Sequence, residues 1–253
     1  MKILISPAKS LDLETPIPVT NHSNLMFESA VKEVQQQLKS FKASELKSKM
    51  KISDKIAALN WERNQQFTWP MTEGESRQAV FAFNGDVYKG LDAYSLKEEE
   101  IESMQEMLLI LSGLYGMLKP LDLIQAYRLE MGTSMKVANA TSLASYWKPV
   151  LTQKLNELLE KDETLVNLAS KEYSAAVDFK AIENKIIHPE FKDFKNGSLK
   201  TISFFAKKAR GMMSRYLIEK NAKNIEDILG FSEEGYAYSE EYSKDELHPV
   251  FVR

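Results

Sequence analysis

Lys2-Ile3-Leu4-Ile5-Ser6, or KILIS, sets three consecutive branched aliphatic residues between polar ends and is cut off at once by Pro7. So short an apolar run reads as a buried strand that opens into a loop. Residues 25–41 follow with helical apolar spacing. Ser53 and Asp54 then cap a second helix running toward Phe67, stopped by Trp69-Pro70. AVFAF at 79–83 reads as a strand ended by the Asn84-Gly85 turn. Residues 97–111 read as a long helix, with Glu98, Glu99 and Glu100 suited to its N-terminal dipole. A helix over 143–159 is expected to kink or restart at Pro149, and a strand over 164–168 follows. Strands are also expected over 185–188 and 201–205, with an Asn196-Gly197 hairpin signal between them. Helices alternating with short apolar strands predict an α/β fold: one compact domain over 1–253, its mixed sheet covered by helices. No linker, repeat or low-complexity tract divides the chain.

At 253 residues and 43% hydrophobic content the chain can bury a substantial core. No apolar run reaches the roughly 18 residues of a membrane span, and the apolar stretch of MKILISPAKS is too short for a secretory signal, so a cytoplasmic protein without a membrane partner is expected. There is no cysteine. That removes disulfides, thiolate nucleophiles, iron–sulfur ligation and thiol peroxidase chemistry together. Glu98, Glu102 and Glu106 share a helical face, but no Glu-x-x-His partner accompanies them, and His22, His188 and His248 lie in unrelated segments. They read as a solvated face, and no metal site or cofactor is expected.

Charge is unevenly spread. FKNGSLKTISFFAKKARGMMSRYLI, residues 194–218, carries six basic residues and no acid in a chain of net charge −3. From Phe204 onward the spacing suits a helix. Lys207, Arg210, Gly211 and Ser214 fall on one face with Lys208 and Arg215 at its edge, and Phe205, Ala209, Met213 and Tyr216 fall opposite. A mid-helix glycine costs about 1 kcal/mol relative to Ala, so Gly211 suggests the close approach of something bulky, such as a phosphate backbone. The same pattern also fits a plain solvated amphipathic helix. Against it, residues 226–246 hold eight acids (Glu226, Asp227, Glu233, Glu234, Glu240, Glu241, Asp245, Glu246) and one base, Lys244. This polarity suits a nucleic-acid-binding face, or an acidic tail that solvates an edge.

LSGLYGMLKPLDLIQAYRLEMG, residues 111–132, is a second candidate. Gly113 and Gly116 flank Tyr115 after the expected helix, where backbone amides of a tight turn can reach a phosphate, with Lys119 and Arg128 nearby in sequence. The alternative is a helix C-cap and a loop closed by Pro120. A third candidate is Ser6-Pro7-Ala8-Lys9, where Lys9 can hold a phosphate at the end of the first strand. Neither G-x-x-x-x-G-K-[ST] nor G-x-G-x-x-G occurs. Asn84, Asp86 and Tyr88 form a further polar cluster, in which Asp86 also fits the N-cap of a short helix.

The blocks ILISPAK (3–9), KISDKIAALN (51–60), AFNGDVYKGL (82–91), LSGLYGMLKPLDLIQAYRLEMG (111–132), NLASKEY (167–173) and ISFFAKKARGMMSRYLI (202–218) resemble those of the YaaA peroxide-stress family, in the same order and across nearly the whole chain. The resemblance implies a cytoplasmic bacterial protein that helps cells survive hydrogen peroxide, linked to low free intracellular iron. It also implies a helix-hairpin-helix-like element, which falls on Gly113 to Gly116, and a positively charged cleft for DNA drawing on Lys207, Lys208, Arg210 and Arg215. It carries no catalytic residue. Two function classes follow. One is a binder of double-stranded DNA with weak sequence preference, touching phosphates through Lys9, Gly113, Tyr115, Gly116, Lys119, Arg128, Lys207, Lys208, Arg210 and Arg215. The other is an enzyme on a nucleotide-like or other phosphorylated small molecule, with Ser6, Asp86 or Tyr115 as chemical groups. A long open groove favours the first, and a closed pocket joining Lys9, Asp86, Arg128 and Lys207 favours the second.

Overall fold

In the computed structural model, which describes residues 1–72 and 74–253, the first strand lies at the centre of the fold. Lys2–Ile5 (β1) runs parallel to Leu108–Ser112 (β5) on one side and to Leu165–Asn167 (β8) on the other, pairing Ile3 with both Leu108 and Val166. Gly116–Leu118 (β6) extends the sheet antiparallel beyond β5, and Ile186–Ile187 (β9) extends it beyond β8. Ile3, Leu4 and Ile5 are fully buried, which is why these three positions are all apolar.

A second sheet contains Glu190–Lys195 (β10), Ser198–Lys200 (β11), Ala237–Ser239 (β12) and Val250–Val252 (β13), in the order β11-β10-β13-β12. Its core is aromatic: the Phe191 ring contacts those of Phe231, Tyr236 and Phe251, and Phe231 also contacts Phe251. Two short ribbons complete the strands: Ser10–Leu11 (β2) with Phe83–Asn84 (β4), and Arg77–Gln78 (β3) with Leu123–Ile124 (β7). The longer helices are Glu28–Ser40 (α1), Ala43–Met50 (α2), Asp54–Gln66 (α3), Glu98–Met107 (α6), Leu143–Leu158 (α7) and Ser203–Glu219 (α9). The shorter ones are Ala79–Ala82 (α4), Asp86–Leu91 (α5), Lys171–Ser174 (α8) and Ile225–Leu229 (α10). No helix among the described residues is long and apolar enough to cross a membrane.

The α/β class and most elements match the sequence, and two of the departures share a cause. Residues 79–82 are helical and only Phe83 continues as strand, while the helix expected over 97–111 ends at Met107 and hands Leu108–Ser112 to the sheet. Both runs are wholly buried, so no polar face betrays their period. The Asn196-Gly197 turn has positive φ at both residues (53° and 71°), but it joins β10 to β11, and residues 203–205 already belong to α9. α7 does not restart at Pro149, which lies inside one continuous helix.

Gly211 meets protein rather than phosphate. A Cβ placed there would lie 1.8 Å from the Val87 carbonyl oxygen, and one on Gly90 would lie 2.2 Å from that of Lys208, so α5 and α9 cross with their backbones in contact. Arg215 locks the crossing by donating to the carbonyls of Leu91 (3.2 Å) and Asp92 (2.9 Å) and to Ser95 Oγ (2.8 Å). Gly113 to Gly116 likewise departs from the expected hairpin between helices. It turns β5 into β6, and Gly116, at φ 73°, lies under Trp147, whose indole donates to the Gly113 carbonyl (2.9 Å).

Gly211→Ala gains about 1 kcal/mol of helix propensity but forces a methyl into a rigid backbone, an overpacking cost of about 3 kcal/mol. The urea midpoint should fall, and an unchanged or higher midpoint would refute the crossing. Asp122 is fully buried and accepts from Ser23 Oγ (2.6 Å) and the Lys119 amide (2.8 Å), and burial lifts its pKa to about 6 despite those bonds. The native state therefore holds a proton that the unfolded chain releases near pH 4, so this group's contribution is complete below that pH and lost as pH rises toward 6. It amounts to roughly 2–3 kcal/mol. Urea titrations from pH 3.5 to 7 should show this falling component in the parent and not in Asp122→Asn.

Candidate anion-binding cleft

The central parallel strands deliver two serines to one point. Ser6 follows β1 and Ser170 follows β8; the Ser170 amide donates to Ser6 Oγ (2.9 Å), and the two hydroxyls lie 3.3 Å apart. Tyr88, on α5, donates its hydroxyl to the Ser6 carbonyl (3.2 Å). The β2–β4 ribbon holds the loop after β1 against the turn before α5, and a Cβ on Gly85 would sit 3.0 Å from that of Ala8. Together with α8 and α9 these segments line a cleft of about 640 Å³, with Lys9, Asn84, Asp86, Lys89, Glu172, Tyr173, Lys207 and Arg210 around it. A larger depression of about 820 Å³ lies along α7, but its polar lining is already engaged: Thr152 with Lys148 and Asp178, Asn156 with Ala181 and Glu183.

Electrostatics divide the cations into two groups. Lys9 reaches Glu130 at 3.2 Å, and Arg128 binds the same carboxylate oxygen at 2.9 Å. Lys208 pairs with Glu234, Arg215 with Glu219, and Lys119 with Glu106 at 3.6 Å. Lys89, Lys207 and Arg210 have no acid within ion-pair distance among the described residues. Arg210 is half-buried, and its burial alone draws its pKa down. Burial instead pushes the Tyr88 and Tyr173 phenols well up, so both remain neutral hydrogen-bonding groups at ordinary pH.

The sequence candidates are thus sorted by the fold. Lys9, Lys207 and Arg210 line the cleft, together with Ser6 and Asp86, while Arg128 stands one ion pair behind it. Lys119, Lys208 and Arg215 are absent from the lining, and Gly113, Tyr115 and Gly116 are buried in the β-hairpin. The Tyr115 hydroxyl is spent on Gln125, accepting from its amide at 3.0 Å. Sequence reasoning left Lys89, Ser170, Glu172, Tyr173 and Glu130 without a role. The signal for three of them was the block NLASKEY, which continues a strand at the end where α/β sheets gather ligands.

Glu130 is the internal counter-ion of the cleft. It is buried, and its second oxygen makes no hydrogen bond among the described residues. Glu130→Gln should cost about 2 kcal/mol of stability by leaving Arg128 without its carboxylate. The same change frees Lys9 and should tighten binding of a polyanion such as heparin at low salt several-fold. Weaker binding by the folded variant would show that Glu130 orders the site rather than neutralising it.

The geometry describes a cationic cleft without describing a lineage, which comparison with other proteins supplies. The family model for peroxide stress protein YaaA matches residues 1–242. A UPF0246 protein of Flavobacterium johnsoniae is 54% identical over 253 residues, covering all of both chains. UPF0246 proteins of Flavobacterium psychrophilum and of a Marinomonas strain are each 48% identical, over 96% and 100% of this chain and 97% of their own lengths. Matched along nearly its whole length by that model and end to end by such relatives, the chain belongs to the YaaA family of peroxide stress proteins.

Proposed function

We propose that the protein serves the oxidative-stress response by binding double-stranded DNA, with weak sequence preference, through phosphate contacts at the cleft. The family supports the stress role. The observation that carries the binding is Arg210, a half-buried guanidinium with no acid within ion-pair distance among the described residues, beside an exposed Lys207 that likewise has none. A buried cation without a counter-ion is costly, and a phosphate offsets that cost. Lys9 and Lys89 add charge around the same opening. With no cysteine to turn over peroxide, protection is indirect in this reading: it shields DNA, or limits the iron that converts peroxide into radicals.

A second reading, an enzyme on a phosphorylated small molecule, is favoured by one feature. Ser6, Ser170 and Asp86 line one compact cleft at the strand ends.

Duplex titration tests the first reading. With Lys89, Lys207 and Arg210 available and Lys9 held by Glu130, log K against log salt should slope by no more than roughly −3, at about −0.9 for each phosphate engaged. The pair Lys207→Gln and Arg210→Gln should shift that slope by about 2 toward zero. Lys208→Gln, removing a cation already paired with Glu234, should do less. Binding that ignores salt, or is absent at low salt, would overturn the proposal, as would loss of binding only through unfolding.

A further inference from the structure

We infer that the inner part of the cleft accommodates one nucleoside monophosphate unit, either a free nucleotide or a single nucleotide turned out of a DNA strand. This rests on the reading that the cleft holds a phosphate. It goes further by assigning the site a nucleoside as well.

Topology supplies the first support. β1 leads onward to β5 on one side of the sheet, whereas β8 leads to β9 on the other. The crevice between their carboxyl ends is therefore a switch point, the position at which open α/β sheets place small ligands. Ser6 and Ser170, bonded to one another, mark it. Size supplies the second. A volume of about 640 Å³ lies within the roughly 300–1,000 Å³ of pockets that enclose small molecules. A B-form duplex, whose major groove alone is about 12 Å wide, can meet such a cleft only at its mouth.

The lining supplies the third. Arg210 has no acid within ion-pair distance among the described residues and suits a phosphate. Tyr88 and Tyr173 contribute aromatic walls from α5 and α8. Asn84 is exposed, its side chain makes no hydrogen bond among the described residues, and its carboxamide offers a donor and an acceptor to the edge of a base. Asp86 accepts hydrogen bonds only and suits sugar hydroxyls. An inorganic phosphate would use the cation and leave the amide, the carboxylate and the rings idle.

Calorimetry at low salt with inorganic phosphate, ribose 5-phosphate and the four common nucleoside 5′-monophosphates tests this, alongside DNA hairpins with and without one unpaired nucleotide. At least one nucleotide should bind ten-fold or more tighter than ribose 5-phosphate. Arg210→Gln should weaken every phosphate ligand, and Asn84→Ala should weaken the nucleotide while leaving ribose 5-phosphate unchanged. If the natural source is a DNA strand, the bulged hairpin should outbind the paired one and the free nucleotide should compete with it. Equal binding of all phosphate ligands would overturn the nucleoside assignment and leave a phosphate site standing. DNA binding with neither nucleotide binding nor a bulge preference would overturn it and leave the DNA reading intact. Binding of no phosphate ligand and no DNA would remove both.

Discussion

The contact on which the site depends is the crossing of α5 and α9 at Gly90 and Gly211. Two helices with side chains at the contact pack with axes about 8–10 Å apart, whereas here each glycine faces the carbonyl oxygen of the opposite helix, so the backbones meet. That approach brings α9 in behind the turn from Asn84 to Asp86 and lays Lys207 and Arg210 over the carboxyl ends of β1 and β8. Arg215 fixes the register by saturating the C-terminal carbonyls of α5. The helix-propensity cost of Gly211 is thus offset by packing inside the protein.

From that crossing follows a division of labour among basic residues that look alike in sequence. Arg215 and Lys208 are consumed in holding α9 to its surroundings, and Arg128 is consumed by Glu130. Arg210, one turn from Lys207 on the same helix, is left facing an opening where burial penalises its charge and no carboxylate compensates it. Acid stands close by nonetheless. Glu130 holds Lys9, and Asp86 and Glu172 share the lining. The cleft is therefore a mixed surface with a cationic end, which suits a ligand carrying both a phosphate and hydrogen-bonding groups better than a bare polyanion.

The sequence by itself determined the class and the outline. Its short apolar strands, capped helices and Asn-Gly turn gave the α/β architecture, since those signals are local: Ser53 caps α3, and residues 196 and 197 take the positive φ that the turn chemistry requires. It also marked the strand-end loop with Lys9 and the concentration of charge on α9, because both depend only on residue type and spacing. Tertiary structure decided the rest. Whether residues 79–82 and 108–112 become helix or strand is settled by burial on every side, which erases the polar face that periodicity reads. Whether a glycine admits a ligand or another helix, and whether a cation is free or neutralised, is settled by residues distant in the chain: Val87 for Gly211, Trp147 for Gly116, Glu234 for Lys208, Glu130 for Lys9. Steric contact and ion pairing act over a few ångströms of space whatever the sequence separation, so only the fold could sort the cations left open to a ligand from those that hold the molecule together.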